Sequence, residues 1–119
     1  MSDGNIEVSV VMPCLNEEKG VEICIKKIKE VFANENVKYE IIVADNGSTD
    51  RSAEIASRKG AIVVVETRKG YGAAYLRGLR EAKGKYIVIA DSDNTYDFSD
   101  IPKFLKPLRE GYDFVMGSR

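Results

Sequence analysis

Four short, β-branched apolar runs recur along this chain, and each is separated from the next by a segment with helical spacing. The runs are Val8 to Met12, Ile41 to Ala44, Ile62 to Val65 and Tyr86 to Ala90. Apolar runs of this length, bounded by turn signals, predict strands. Strands that are apolar throughout need cover on both faces, which a parallel sheet obtains from its crossover helices. Strict β-α alternation therefore predicts an α/β fold: a mostly parallel sheet between two helical layers, three layers in all. With 119 residues there is material for one such core.

The punctuation between the runs agrees. Pro13 closes the first run. Asn16 is placed to cap the helix that follows, with Glu17 and Glu18 in its first turn, where carboxylates suit the helix dipole. Val21, Cys24, Ile25, Ile28 and Phe32 then repeat at the spacing of one buried face. Asp45-Asn46-Gly47 ends the second strand as a turn, and a short helix is predicted from about Thr49 to Lys59 with Gly60 as its stop. A helix from about Gly72 to Ala82 buries Tyr75, Gly78, Leu79 and Ala82, and Gly84 ends it. Ile101, Phe104, Leu105 and Leu108 predict a further helix, which Pro107 should kink or shorten, before a fifth strand near Phe114. The closing Met116-Gly117-Ser118-Arg119 has the character of a strand end and a loop start, so the domain is expected to continue past Arg119.

Composition narrows the chemistry. A formal net charge of -1 argues against a nucleic-acid partner, which usually meets a basic surplus. With no histidine, a His base, a His-activated nucleophile and a His-ligated metal are excluded. Any metal must be held mainly by oxygen, which favours Mg²⁺, Mn²⁺ or Ca²⁺ over zinc. Cys14 and Cys24 lack metal-site spacing and are expected to be reduced thiols. The start, MSDGNIEVSV, has no basic segment leading into a long apolar stretch, and no apolar run approaches a bilayer span. A cytoplasmic location is predicted, with membrane association only through parts outside this chain.

In open α/β sheets, ligands bind beyond the carboxyl ends of the strands, where strand order reverses. Those ends carry Asn16 and Glu17; Asp45, Asn46 and Ser48; Arg68, Lys69, Gly70 and Gly72; Asp91, Asp93 and Asn94; and Ser118 with Arg119. If the sheet is wound outward from the first strand, strands one and four are neighbours, and Glu17 faces the same crevice as Asp91 and Asp93. In extended chain, residues two apart project the same way with Cα atoms roughly 6.6 Å apart. Both carboxylates of Asp91-Ser92-Asp93 can then converge, and a divalent cation removes the repulsion between them while offering positions to phosphate oxygens. Asp45 allows two readings: it makes the turn by bonding to nearby backbone, or it accepts from the N–H of a nucleobase. Lys69-Gly70-Tyr71-Gly72 has part of a G-x-G phosphate loop but lacks its downstream glycine, which favours turn geometry; Arg68 and Lys69 can still neutralise a phosphate. Cys14 and Tyr96 suit packing better than catalysis.

At these residues the chain resembles the family 2 glycosyltransferases of the GT-A fold, with its Rossmann-like nucleotide-binding half. It is especially similar to the dolichol-phosphate mannosyltransferase-like branch, which uses polyprenyl phosphates. The matching segments, in order, are Val10-Val11-Met12-Pro13-Cys14-Leu15-Asn16-Glu17, then Ile42-Val43-Ala44-Asp45-Asn46-Gly47-Ser48-Thr49-Asp50, then Gly70-Tyr71-Gly72-Ala73-Ala74. Ala90-Asp91-Ser92-Asp93-Asn94-Thr95-Tyr96-Asp97, Ile101-Pro102 and Gly117-Ser118-Arg119 follow. The resemblance implies that Pro13, Asn16 and Glu17 line the nucleotide pocket and that Asp45 contacts the base. It implies that Asp91 reaches the nucleotide or ribose, that Asp93 is the main ligand of Mg²⁺ or Mn²⁺, and that Arg119 approaches a donor or acceptor phosphate. The implied reaction is transfer, with inversion, of a sugar from a UDP- or GDP-linked donor. Residues 1–119 would be the nucleotide-sugar-binding portion of the domain, binding donor and metal without turnover, since the acceptor-side half would lie past Arg119. The family usually carries Asp or a similar residue where Ala44 or Asn46 stands, which leaves the base contact to Asp45.

Two other classes share parts of this pattern. Tyr86 to Thr95 also fits the h-h-h-h-D-x-D-x-T motif of haloacid-dehalogenase-type phosphatases, but that motif normally sits on a first strand and here follows three β-α units. A receiver-like, non-enzymatic module needs an acidic phosphoacceptor after the third strand, where this chain has Glu66-Thr67-Arg68. An inactive nucleotide-binding module of transferase ancestry shares every feature described above.

Overall fold

The computed structural model describes residues 6–33 and 37–89. Their order is β1 (Val8–Cys14), α1 (Glu18–Ala33), β2 (Tyr39–Asp45), α2 (Ser52–Arg58), β3 (Ile62–Val65), α3 (Tyr71–Glu81) and β4 (Tyr86–Ile89). The four strands form one parallel sheet in the order β3-β2-β1-β4. The chain thus steps outward from β1 to β3, crosses back, and lays β4 on the free side of β1. That reversal puts the switch point between β1 and β4, as outward winding requires. The predicted end of the fourth strand at Ala90, the helix from Ile101, the fifth strand near Phe114, and Asp91, Asp93 and Arg119 lie outside the described residues.

Side-chain alternation divides the core into two layers. Val8, Val10, Met12 and Cys14 face α1 and α2 together with Ile41 and Val43, and the α1 stripe Val21, Cys24, Ile25, Ile28 and Phe32 packs onto them. All five of those helical positions are buried, as their spacing predicts. Val11, Ile42, Ala44 and Val64 face the other way, against Ala74 and the partly buried Tyr75, Leu79 and Ala82 of the α3 segment. Gly78 explains how closely α3 sits. A Cβ there would come within 2.5 Å of Val11 Cγ1, so α3 meets the sheet backbone-first at that point.

Element ends differ from expectation in three places. Pro13 does not close β1; it lies within the strand, buried and in register with Ala44. The Cys14 carbonyl accepts from Asn46 N–H at 2.8 Å, so Cys14 faces β2 and Pro13, one residue earlier, turns its nitrogen to the opposite side. The missing N–H therefore costs the β1–β2 ladder nothing. α1 begins at Glu18, one residue too late for Asn16 to be its cap. α2 begins at Ser52 rather than Thr49, because Ser48, Thr49 and Asp50 are engaged elsewhere, as described below. Its stop is as expected: Gly60 adopts φ +99°, a left-handed conformation that glycine tolerates.

Candidate functional site

The carboxyl ends of β1, β2 and β3 are held together by hydrogen bonds between loops. Asn16, at the end of β1, has φ +52°, unusual for a residue other than glycine. Its backbone N–H donates to Ser48 Oγ at 2.9 Å, and its side-chain oxygen accepts from the N–H of Thr49 at 2.7 Å and of Asp50 at 3.3 Å. Asn16 thus clasps the β2–α2 loop instead of capping α1. The capping is done from that loop: Glu17 N–H donates to Ser52 Oγ at 2.9 Å and Glu18 N–H to Asp50 Oδ2 at 3.3 Å. Asp50 also accepts from the hydroxyl and the N–H of Ser52. The Ser52 hydroxyl and then these backbone donors hold its carboxyl below the usual carboxylate range.

Asp45 is buried at the end of β2, on the face that carries α1 and α2. Its Oδ2 accepts from Ser48 N–H at 3.1 Å, which realises the turn-making reading of this residue. Its Oδ1 is buried with no hydrogen-bond partner among the described residues. Such an acceptor is costly unless something donates to it.

Asn46 organises the other side. Its Nδ2 donates to the carbonyls of Glu66 at 2.9 Å and Arg68 at 2.7 Å, and its Oδ1 accepts from Gly70 N–H at 2.9 Å. One side chain thereby shapes the whole β3–α3 loop. Arg68 folds back on Glu66 with its N–H at 2.8 Å, its Nε at 3.1 Å and its Nη2 at 3.3 Å from the carboxylate. Glu66 is 8% exposed while Arg68 is 60% exposed, so the cation covers a nearly buried anion. Lys69, next along, is exposed and makes no ion pair with any described residue. Between these loops opens a cleft of about 490 Å³, lined by Leu15, Asn46, Gly47, Glu66, Lys69 and Gly70 among others. Its volume is that of a small-molecule site.

The Arg68 guanidinium, and after it the Arg68 N–H, hold Glu66 below the ordinary carboxylate range. A carboxyl depressed in the folded state contributes stability that is present above its ordinary pKa and is lost as pH falls through the folded value. The Arg68 amide proton, which donates to this carboxylate, is therefore expected to titrate by NMR with a midpoint below about 4.3, the ordinary glutamate value. A midpoint at or above that value would contradict the pairing.

Of the residues singled out from sequence, the structure joins Asn16 to Asp45 through Ser48 and sets Lys69 at the cleft. Glu17 is half-buried under Ser52. Pro13 and Asp45 are not among the cleft's lining residues. Asp91, Asp93 and Arg119 lie outside the described residues. Among the described residues no group of three or more Asp, Glu, Cys or His side chains could hold a metal ion. Sequence reasoning missed the loop-shaping role of Asn46, and it missed Asp50 and Ser52 as the distant cap of α1. The signal for the latter pair was present as a Ser-Thr-Asp-x-Ser cluster, but its partner was about thirty residues away in the chain.

A family model described as glycosyl transferase family 2 matches residues 9–119. The low-salt glycan biosynthesis hexosyltransferase Agl6 of Haloferax volcanii is 48% identical over 113 residues, covering 94% of this chain and 27% of that protein. The glycosyltransferase AglJ of the same organism is 37% identical over 114 residues, 94% of this chain and 36% of its own length. This chain therefore spans about a quarter to a third of those two relatives. Among solved structures, glucosyl-3-phosphoglycerate synthase from Mycobacterium tuberculosis in complex with UDP aligns with a TM-score of 0.73 at 34% identity, covering 89% of this chain and 41% of the synthase. The same synthase has been solved with Mn²⁺, UDP-glucose and phosphoglyceric acid; it aligns at the same TM-score over 89% of this chain and 40% of the synthase.

Proposed function

The chain belongs to glycosyl transferase family 2, and from that premise we propose that residues 1–119 form the nucleotide-sugar-binding portion of a metal-dependent, inverting glycosyltransferase. The observation that carries this reading is the cleft at the carboxyl ends of β1, β2 and β3, with Asn46, Glu66 and Lys69 on its walls. It sits beside a switch point whose fourth strand leads, in sequence, straight into Asp91-Ser92-Asp93. A nucleobase fits a cleft of that size, and Lys69 supplies a positive charge for the diphosphate. Asp45 remains the proposed base contact; its Oδ1 is buried without a partner among the described residues and lies off the cleft lining, so the contact requires the side chain to turn towards the cleft. Asn16 and Glu17 serve the pocket by tying its loops, and Pro13 supports it from within β1 without lining it.

Asp93, assisted by Asp91, is assigned to Mg²⁺ or Mn²⁺, and Arg119 to a donor or acceptor phosphate. When bound, the cation would neutralise charge on the departing diphosphate. The chain's own part is to hold the donor so that its anomeric carbon is open to the incoming acceptor oxygen. UDP is the favoured donor nucleotide, because solved synthase structures similar to this chain hold it, with GDP the alternative. A polyprenyl phosphate is the proposed acceptor. Phosphoglyceric acid in the solved synthase favours, as a second reading, a soluble phosphorylated acceptor. No helix among the described residues is long and apolar enough to cross a membrane, and a cytoplasmic location is part of the proposal.

Calorimetric titration with UDP and GDP, each with and without Mn²⁺, tests the reading. Binding that tightens on adding Mn²⁺, and is stronger for UDP, is the expected result. If neither nucleotide binds in the presence of metal, the donor-site assignment is wrong.

A further inference from the structure

We propose that Asn46 is a positioning residue for donor recognition: it holds the 66–70 loop in the shape that presents Lys69 to the cleft, and it acts through Lys69 rather than by touching the nucleotide. The inference rests on the donor-site reading of the cleft. Both nitrogen-bound protons of the Asn46 side chain are in use, on Glu66 O and Arg68 O, and its oxygen accepts from Gly70 N–H. The amide orientation is fixed by this pattern, because the two partners of Nδ2 are carbonyls, which only accept. The three anchored residues bracket Lys69 on both sides. Gly70, at φ +114°, then turns the chain into α3.

Neighbouring charges leave the task to Lys69. Arg68 is committed to Glu66 by three donors, whereas Lys69 lines the cleft and has no ion pair among the described residues. A cation of this kind contributes more to anion binding when its backbone is held where the ammonium can reach the anion. Aspartate at position 46 would keep the shape and could still accept from Gly70. It could not donate to the two carbonyls, and its charge would repel them. The residue type at this position therefore controls the loop, a role that neither turn propensity nor base contact predicts.

The test combines Asn46→Asp, Lys69→Met and the double variant in the full chain, with UDP and Mn²⁺ as the probe. Each single change is expected to weaken binding roughly tenfold, the scale of losing bonds to or from a charged group. The double variant should be no weaker than the weaker single variant by more than about twofold, since the two residues act in series. Without nucleotide, trypsin should cut after Arg68 and Lys69 several times faster in Asn46→Asp than in the wild type. Binding of uridine, which lacks the diphosphate, should be unchanged in Asn46→Asp and in Lys69→Met. A merely structural role, with the cleft itself disturbed, would weaken uridine binding too. Should Asn46→Asp fail to fold, Asn46→Ala removes the same bonds without adding charge and carries the binding and proteolysis arms. If the wild type itself binds no nucleotide, the donor-site reading falls and this inference with it. If the wild type binds but Asn46→Asp binds equally well, or the losses add in the double variant, only the role given to Asn46 is overturned.

Discussion

Replacing Asp93 with alanine is expected to make UDP binding indifferent to Mn²⁺. The metal-dependent gain should vanish, a loss of about ten- to a hundredfold, or roughly 1.4–2.7 kcal/mol. Asp93 lies outside the described residues, and the expectation comes from the strand that leads to it. β4 lies parallel to β1 with Ile89 opposite Val11, at the place where strand order reverses. The sequence then runs Ala90-Asp91-Ser92-Asp93. Two carboxylates close together repel each other and repel a diphosphate; a divalent cation among them converts both repulsions into attraction. Removing the main ligand should therefore abolish the metal-dependent part of the affinity and leave the metal-free part nearly unchanged. Asp91→Ala should behave differently. Its proposed contact is with the nucleotide or ribose, so binding should weaken with and without Mn²⁺. Calorimetry on both variants separates the two roles, and an unchanged response to Mn²⁺ in Asp93→Ala would remove Asp93 from the metal site.

What could be inferred from sequence, and what could not, follows from the range of the interactions involved. The strand runs, the α1 stripe from Val21 to Phe32 and the outward winding that places β4 beside β1 all depend on burial, which leaves a periodic mark on neighbouring residues. Those features were legible. Pro13 is not legible as a strand residue, because its tolerance depends on which side its missing N–H faces, a property of strand pairing and not of local sequence. Position alone suggests Asn16 as a helix cap. Its actual partners, Ser48, Thr49 and Asp50, are more than thirty residues away, and they in turn displaced the start of α2. Asn46 reads from sequence as a turn former, yet three bonds to the β3–α3 loop decide its role. The charge on Lys69 makes it a candidate phosphate partner, and the structure places it on the cleft wall. Burial leaves its mark on neighbouring residues in the sequence; long-range hydrogen bonds leave none.

Gly84→Ala is expected to destabilise the chain by about 2–4 kcal/mol, combining overpacking with the loss of a partly buried hydrogen bond. At 4–8 °C per kcal/mol for a domain near this size, thermal unfolding should shift down by roughly 10 °C or more. A Cβ at Gly84 would lie 2.6 Å from Ser9 N, 2.6 Å from Ser9 Oγ and 2.8 Å from Val8 C. These atoms belong to a central strand that is buried on both faces and cannot yield. The α3–β4 turn would have to move instead. Moving it breaks Gly84 N–H to Ser9 Oγ (2.7 Å) and strains Lys83 N–H to Glu40 Oε2 (2.8 Å), while Ser9 Oγ donates to that same carboxylate at 2.6 Å. The control is Gly72→Ala. Its Cβ would meet nothing within 4 Å, and alanine in a helix is favoured by up to about 1 kcal/mol over glycine, so that variant should be neutral or slightly more stable. The same turn also sets the register of β4, through Lys85 N–H to Ile6 O at 3.2 Å and Tyr86 N–H to Glu7 O at 2.8 Å. Because the proposed metal ligands follow β4 directly in sequence, a displaced turn should weaken Mn²⁺-dependent UDP binding even at temperatures where Gly84→Ala remains folded. Stability lost with metal dependence intact would mean that β4 keeps its register without the Ser9 contact, and the turn would then be a packing feature alone.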